Sequence, residues 1–113
     1  MASKEKAKGN RFERECVEIA QDFGFNAKRA WGSDGRSIGL HPEVDVVIEY
    51  LLNPEDSEQM TAQCKVRKKI ASYLLPPEEC DIALLKQDRG DVYACIRYKD
   101  LLQLIQRAFS HNE

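Results

Sequence analysis

Two short apolar runs, residues 44–48 (VDVVI) and 60–66 (MTAQCKV), constrain the fold more than any other part of this chain. Both are rich in β-branched residues, and between them lies Asn53-Pro54-Glu55-Asp56-Ser57, a segment with the composition of a turn. The pair reads as a β-hairpin. Antiparallel pairing about the middle of that turn sets Asp45 opposite Cys64. Side chains alternate between faces along a strand, so Gln63 and Lys65 share one face while Ala62, Cys64 and Val66 take the other. Asp45, Gln63 and Lys65 are thereby brought to one edge of the hairpin.

Around this hairpin the periodicity alternates between helix and strand. Asn10 can cap a helix over residues 10–23, with Phe12, Cys16, Ile19, Ala20 and Phe23 on one face and Gly24 as its stop. Glu13 rides on that helix. A first strand follows over 25–31, ending at Trp31, which reads as a core residue with base stacking as its alternative. Residues 32–39 form a glycine-rich loop that leads past His41, read as a loop-surface residue. Residues 68–75 read as a short helix or irregular connector halted by Pro76-Pro77, 81–86 and 92–98 as two more strands, and 100–109 as an amphipathic helix with Leu101, Leu104, Ile105 and Ala108 on its apolar side. The order is α-β-β-β-α-β-β-α.

A chain of 113 residues supports one single-core domain, and 42% apolar with 32% charged residues is ordinary for a globular protein. Residues 1–113 are expected to be one domain, with 1–8 as a flexible basic N-terminus. No apolar run approaches the roughly 20 residues that span a bilayer, so a cytoplasmic protein without membrane contact is expected. Cys16, Cys64, Cys80 and Cys95 lie far apart with no C-x-x-C pair and read as reduced thiols rather than zinc ligands or disulfides. The net charge of −2 excludes a uniformly basic nucleic-acid binder. Its distribution is more informative, because phosphate binding depends on local charge. Lys8, Arg11 and Arg14 near the N-terminus, Arg29 and Arg36 around the next loop, and Arg67, Lys68 and Lys69 after the hairpin are basic segments near the proposed edge, whereas acids collect at 49–58 and 78–91.

From Lys8-Gly9-Asn10-Arg11-Phe12-Glu13 through the last strands, the chain resembles the PD-(D/E)XK nuclease superfamily, and most of all archaeal-type Holliday junction resolvases, including those of phages. The resemblance implies an α/β restriction-endonuclease-like core, a central mixed sheet of about five strands flanked by helices. It also implies a site made of a helical glutamate, an aspartate on the second strand and a (D/E)-x-K tripeptide on the third. Those positions map onto Glu13, Asp45, Gln63 and Lys65. Gln63 departs from the acidic residue usual there; a Q-x-K tripeptide is similar to that of Mrr-type nucleases. Resolvases of this kind also carry a serine before the aspartate, for which Ser33 and Ser37 are both candidates beside Arg36 as phosphate contacts.

Phosphodiester hydrolysis needs a divalent cation held by hard oxygens to polarise the phosphate and acidify a water. Asp45 is the expected charged ligand of Mg²⁺, with Mn²⁺ as a substitute; the Gln63 amide oxygen, the Cys64 backbone carbonyl and Glu13 complete the set. Lys65 is expected to orient the attacking water and offset charge on the phosphate. Glu43, on the same face two residues before Asp45, is expected to rim the site, with a role as substitute ligand as its alternative. The sequence thus points to an endonuclease on branched DNA, working as a homodimer whose two sites nick a four-way junction symmetrically. A restriction or repair nuclease acting on duplex or single strands, and a non-cleaving DNA-binding module, remain as alternatives.

Overall fold

Ser3 starts the first helix. In the computed structural model, which describes residues 3–30 and 40–109, the Ser3 hydroxyl accepts a hydrogen bond from the Lys6 amide at 3.0 Å and caps α1, Lys4–Asp22. A serine oxygen that satisfies an orphaned amide is a strong helix start, and this one lies well upstream of Asn10, the start expected from sequence. The basic residues as far as Lys8 are therefore helical rather than a flexible arm. At the other end Gly24 adopts φ 93°, the left-handed conformation that glycine takes without a Cβ penalty. The Phe25 amide donates to Ala20 O and the Gly24 amide to Gln21 O, the paired bonds of a Schellman stop.

Strands β1 (Asn26–Arg29), β2 (Val46–Asn53) and β3 (Asp56–Ala62) form an antiparallel sheet in the order β1-β2-β3. Val46, Val47 and Ile48 are all buried, as suits the central strand. The hairpin turn is tighter than the sequence suggested. Asn53 Oδ1 accepts from both the Glu55 and Asp56 amides at 2.9 Å, which folds the chain over Pro54 and Glu55 and lets both strands run further toward the turn. With an irregularity between Leu51 and Asn53, the ladder closes with Val46 opposite Ala62. Continued one step, this register sets Asp45 across from Gln63, not Cys64, a one-residue shift from the expected pairing. The Gln63-Cys64-Lys65 tripeptide accordingly lies just beyond the last residue of β3 instead of inside it.

A single 3₁₀ turn, Ser72–Leu74, precedes the second hairpin, β4 (Ile82–Lys86) and β5 (Val92–Ile96). Five strands are present, as expected, yet among the described residues they form a three-stranded and a two-stranded antiparallel sheet rather than one mixed sheet. Short hairpin connections can only produce antiparallel neighbours, and both β2-β3 and β4-β5 are of that kind. Helix α2, Tyr98–Ala108, closes the chain. Its buried residues are Leu102 and Ile105, with Tyr98 packed alongside, while Leu104 is 54% exposed. The inward stripe is thus rotated from the one anticipated. Ala20, Ala27, Val46, Ile48 and Leu102 form the core, so α1 and α2 both pack on the sheet that carries Asp45. Among the described residues no helix is long and apolar enough to cross a membrane.

Candidate active site

Asp45 is fixed from three directions. The Ala30 amide donates to Asp45 O at 2.9 Å and the Asp45 amide to Ala62 O at 2.8 Å, so its backbone is clamped between the ends of β1 and β3. Its side chain turns to the tripeptide: Oδ2 accepts from the Cys64 amide at 2.7 Å. A short, charge-assisted bond from a backbone N–H sets the direction of the carboxylate. This contact joins Asp45 and the Q-x-K segment into one unit despite the shifted register.

Glu13 arrives on α1. Its Oε1 accepts from Arg29 Nε at 3.0 Å and pairs with Nη2 at 2.9 Å, and the same guanidinium donates to Asn10 Oδ1 at 3.1 Å. Arg29, expected to contact DNA, is thereby turned inward, because the half-buried carboxylate beside it is a stronger partner than solvent. Asn10, expected as a helix cap, becomes part of the same clamp. Nothing in the sequence flags this triangle, since it links one helix turn to a strand across an intervening bend.

Gln63 Nε2 donates to Glu43 Oε1 at 3.0 Å. A carboxylate can only accept, so the amide nitrogen must face Glu43 and the Gln63 oxygen points away from it. Glu43 is therefore the residue that aims Gln63. His41 is occupied locally, its Nδ1 accepting from the Glu43 amide at 3.1 Å. Lys65 is exposed and makes no hydrogen bond or ion pair among the described residues.

Behind the tripeptide lies a neutral nest. The Cys64 thiol bonds to the Cys16 sulfur and is pushed up to about 12 by burial first, then by Cys16, Asp45 and Glu13. Both carboxylates thus add to the upward push on this one thiol. Burial also raises Cys16, aided by Glu15 and Glu13 and opposed by the Cys64 thiol. Tyr98 is pushed up to about 12 by burial and by the two cysteines, and its hydroxyl donates to Cys16 O at 2.7 Å. Thiols held protonated are poor nucleophiles, so neither cysteine is a candidate nucleophile on this face.

Among the described residues no three His, Cys, Asp or Glu side chains gather closely enough to hold a metal ion. A cation here must combine carboxylates with neutral oxygens. Asp45, Glu13, the Gln63 amide and the Cys64 carbonyl could supply such donors, all of them hard oxygens suited to a hard divalent ion. Lys8, Lys65, Arg67 and Lys68 line a groove of about 430 Å³ that opens at Cys64. Arg11, Arg14 and Lys69 are exposed on neighbouring surface. Trp31, Ser33, Arg36 and Ser37 lie outside the described residues.

Hard oxygens and a lysine at the end of an antiparallel hairpin, with a helical glutamate overhead, are the means of an α/β nuclease of the restriction-endonuclease-like kind. Comparison with known families narrows this class: residues 4–112 match the archaeal Holliday junction resolvase (Hjc) family, and the chain belongs to it. Its function is accordingly that of a resolvase, a nuclease acting on DNA junctions, in a family that uses divalent metals. No curated protein and no solved structure matched the chain.

Proposed function

We propose that the protein is a Mg²⁺-dependent endonuclease that nicks four-way DNA junctions through Asp45, Gln63, Lys65 and Glu13. The observation that carries this reading is the 2.7 Å bond from the Cys64 amide to Asp45, which locks the aspartate to the Q-x-K segment. Asp45, the Gln63 amide oxygen, the Cys64 carbonyl and Glu13 would hold the ion, and Mn²⁺ suits the same donors. The cation supplies Lewis-acid polarisation of the scissile phosphate and a more acidic water. Lys65 orients that water by hydrogen bonding and offsets charge growing on the phosphate oxygens. Arg29 and Asn10 keep Glu13 directed, and Glu43 keeps the Gln63 oxygen directed.

Symmetric cleavage calls for two sites, and the second hairpin offers the surface to pair them. Leu84 opposes Ala94 and Ile82 opposes Ile96 on one face of that hairpin, where Leu84 is 66% and Val92 61% exposed. A two-stranded ribbon is marginal alone, and a homodimer that covers this face would both support the hairpin and fix the spacing of the sites.

The test is incubation with a synthetic four-way junction, a linear duplex and a single strand, in Mg²⁺ or Mn²⁺, alongside Asp45→Ala and Lys65→Ala. Paired symmetric nicks in the junction alone, lost in both variants while binding persists, are expected. Equal cutting of all three substrates overturns junction selectivity. Binding without cutting in either metal would make the protein a DNA-binding module.

A further inference from the structure

Gly9 occupies the interior of the 19-residue helix α1, a position where glycine is the least favourable residue apart from proline. Neither of the usual reasons for glycine applies. It is not among the residues with positive φ, and a Cβ built on it would meet nothing within 4 Å. The protein itself therefore leaves the bare backbone unexplained.

What lies in front of Gly9 is the basic groove. Its walls are the first turns of α1, with Glu5, Lys8 and Gly9, and the end of the tripeptide with the residues that follow it, Lys65, Arg67 and Lys68. Four cations face one acid. Gly9 precedes Glu13 by one helical turn on the same face, about 6 Å along the axis at 1.5 Å per residue, so the groove is continuous with the catalytic edge. We infer that this groove seats the sugar-phosphate backbone flanking the cleaved bond, with Gly9 as the surface against which that backbone lies. This rests on the nuclease reading above and adds to it the path of the strand. Lys8, Arg67 and Lys68 supply counter-charge, and the missing side chain at Gly9 permits the close approach that glycine allows between a main chain and a ligand. Glu5 opposes the anion; its place in the first turn favours the helix dipole instead.

Two kinds of substitution follow, and each moves stability and binding in opposite directions. Gly9→Ala and Gly9→Leu improve helix propensity and raise the Tm, yet they fill the approach surface. Glu5→Gln weakens the dipole contact and lowers the Tm slightly, yet it removes the repulsive charge. Binding is read by fluorescence anisotropy of a labelled four-way junction without divalent metal, with a salt series. Gly9→Ala is expected to weaken binding by about three- to tenfold, the scale of losing one or two phosphate contacts, with a correspondingly shallower salt dependence. Gly9→Leu weakens it further, and Glu5→Gln tightens it by about threefold, less than one full phosphate contact is worth across a typical salt range. Wild-type affinity in both glycine variants overturns the groove assignment, as does a loss of affinity that tracks a lowered Tm. The two readings fail separately. A wild type that binds the junction but never cuts it defeats the nuclease reading while the glycine variants still judge the groove; a wild type that binds no DNA defeats both.

Discussion

Removing the Arg29 side chain as Arg29→Met should disable Glu13 without touching it. At 2.9 Å, the ion pair is worth about 6 kcal/mol of gross Coulomb attraction at an effective dielectric of about 20, before desolvation is subtracted. The side chains remain 24% and 14% exposed. Fully exposed pairs yield under about 1 kcal/mol, whereas breaking a buried pair costs about 3–5 kcal/mol. This pair lies between, and the additional bond to Asn10 favours the middle of the range, so a loss of about 2 kcal/mol of folding stability is expected. A double-mutant cycle with Glu13→Gln, measured by urea denaturation, isolates the pairwise part, expected at about 1–2 kcal/mol. Junction cleavage by Arg29→Met should fall about 10- to 100-fold, the usual effect of losing a group that orients a metal-site residue. A coupling below about 0.5 kcal/mol, within the scatter of additive sites, together with undiminished cleavage, would refute the claim that Arg29 sets the direction of Glu13.

Replacing Gln63 by Glu puts a second carboxylate against Glu43, now 3.0 Å from the amide nitrogen; the metal concentration for half-maximal cleavage should drop, and an unchanged titration would remove Gln63 from the ligand set. Alkaline pH should destabilise the fold. Cys64 is raised from 9.0 and Tyr98 from 10.0, each to about 12, so the fold prefers their protonated forms. That stabilisation is complete below about pH 9 and is lost as pH climbs toward 12. Thermal melts across this window should show a falling Tm that flattens in Cys64→Ala and Tyr98→Phe; a flat wild-type profile would be the contrary result. Leu84→Glu should convert a dimer to a monomer by size-exclusion chromatography with light scattering, and a wild type that elutes as a monomer would remove the proposed interface.

The elements around the candidate site were legible where local patterns are strong. Asp45 and the Q-x-K tripeptide border two strands, and Glu13 rides on a helix, that the periodicity indicates, because a β-branched run and a 3.6-residue stripe are local signals. Register was not, since it turned on a bulge: the turn pairs Asn53 with Asp56 in the expected register, and an irregularity between Leu51 and Asn53 then moves the rest of the ladder by one residue. Likewise Ser3 displaced the helix start from Asn10, as both residues cap well and sequence alone gives no preference between them. The partners that aim the site, Arg29 for Glu13 and Glu43 for Gln63, come from distant segments. Pairings of that kind are products of tertiary packing and leave no periodic trace. The stripe of α2 slipped for a similar reason: Leu101, Leu102, Leu104 and Ile105 offer two overlapping apolar faces, and only contact with α1 and the sheet chooses between them.

The hydroxyl of Tyr98 reaches a carbonyl 82 positions earlier in the chain, in the middle of the helix that bears Glu13. During synthesis from the N-terminus, that helix leaves the ribosome long before its anchor exists. Its closure spans a loop of 82 positions, an entropic demand that places the step late in folding. Until that loop closes, the helix that bears Glu13 lacks one of the bonds tying it to α2, so its hold on the rest of the fold forms after the local hairpin contacts.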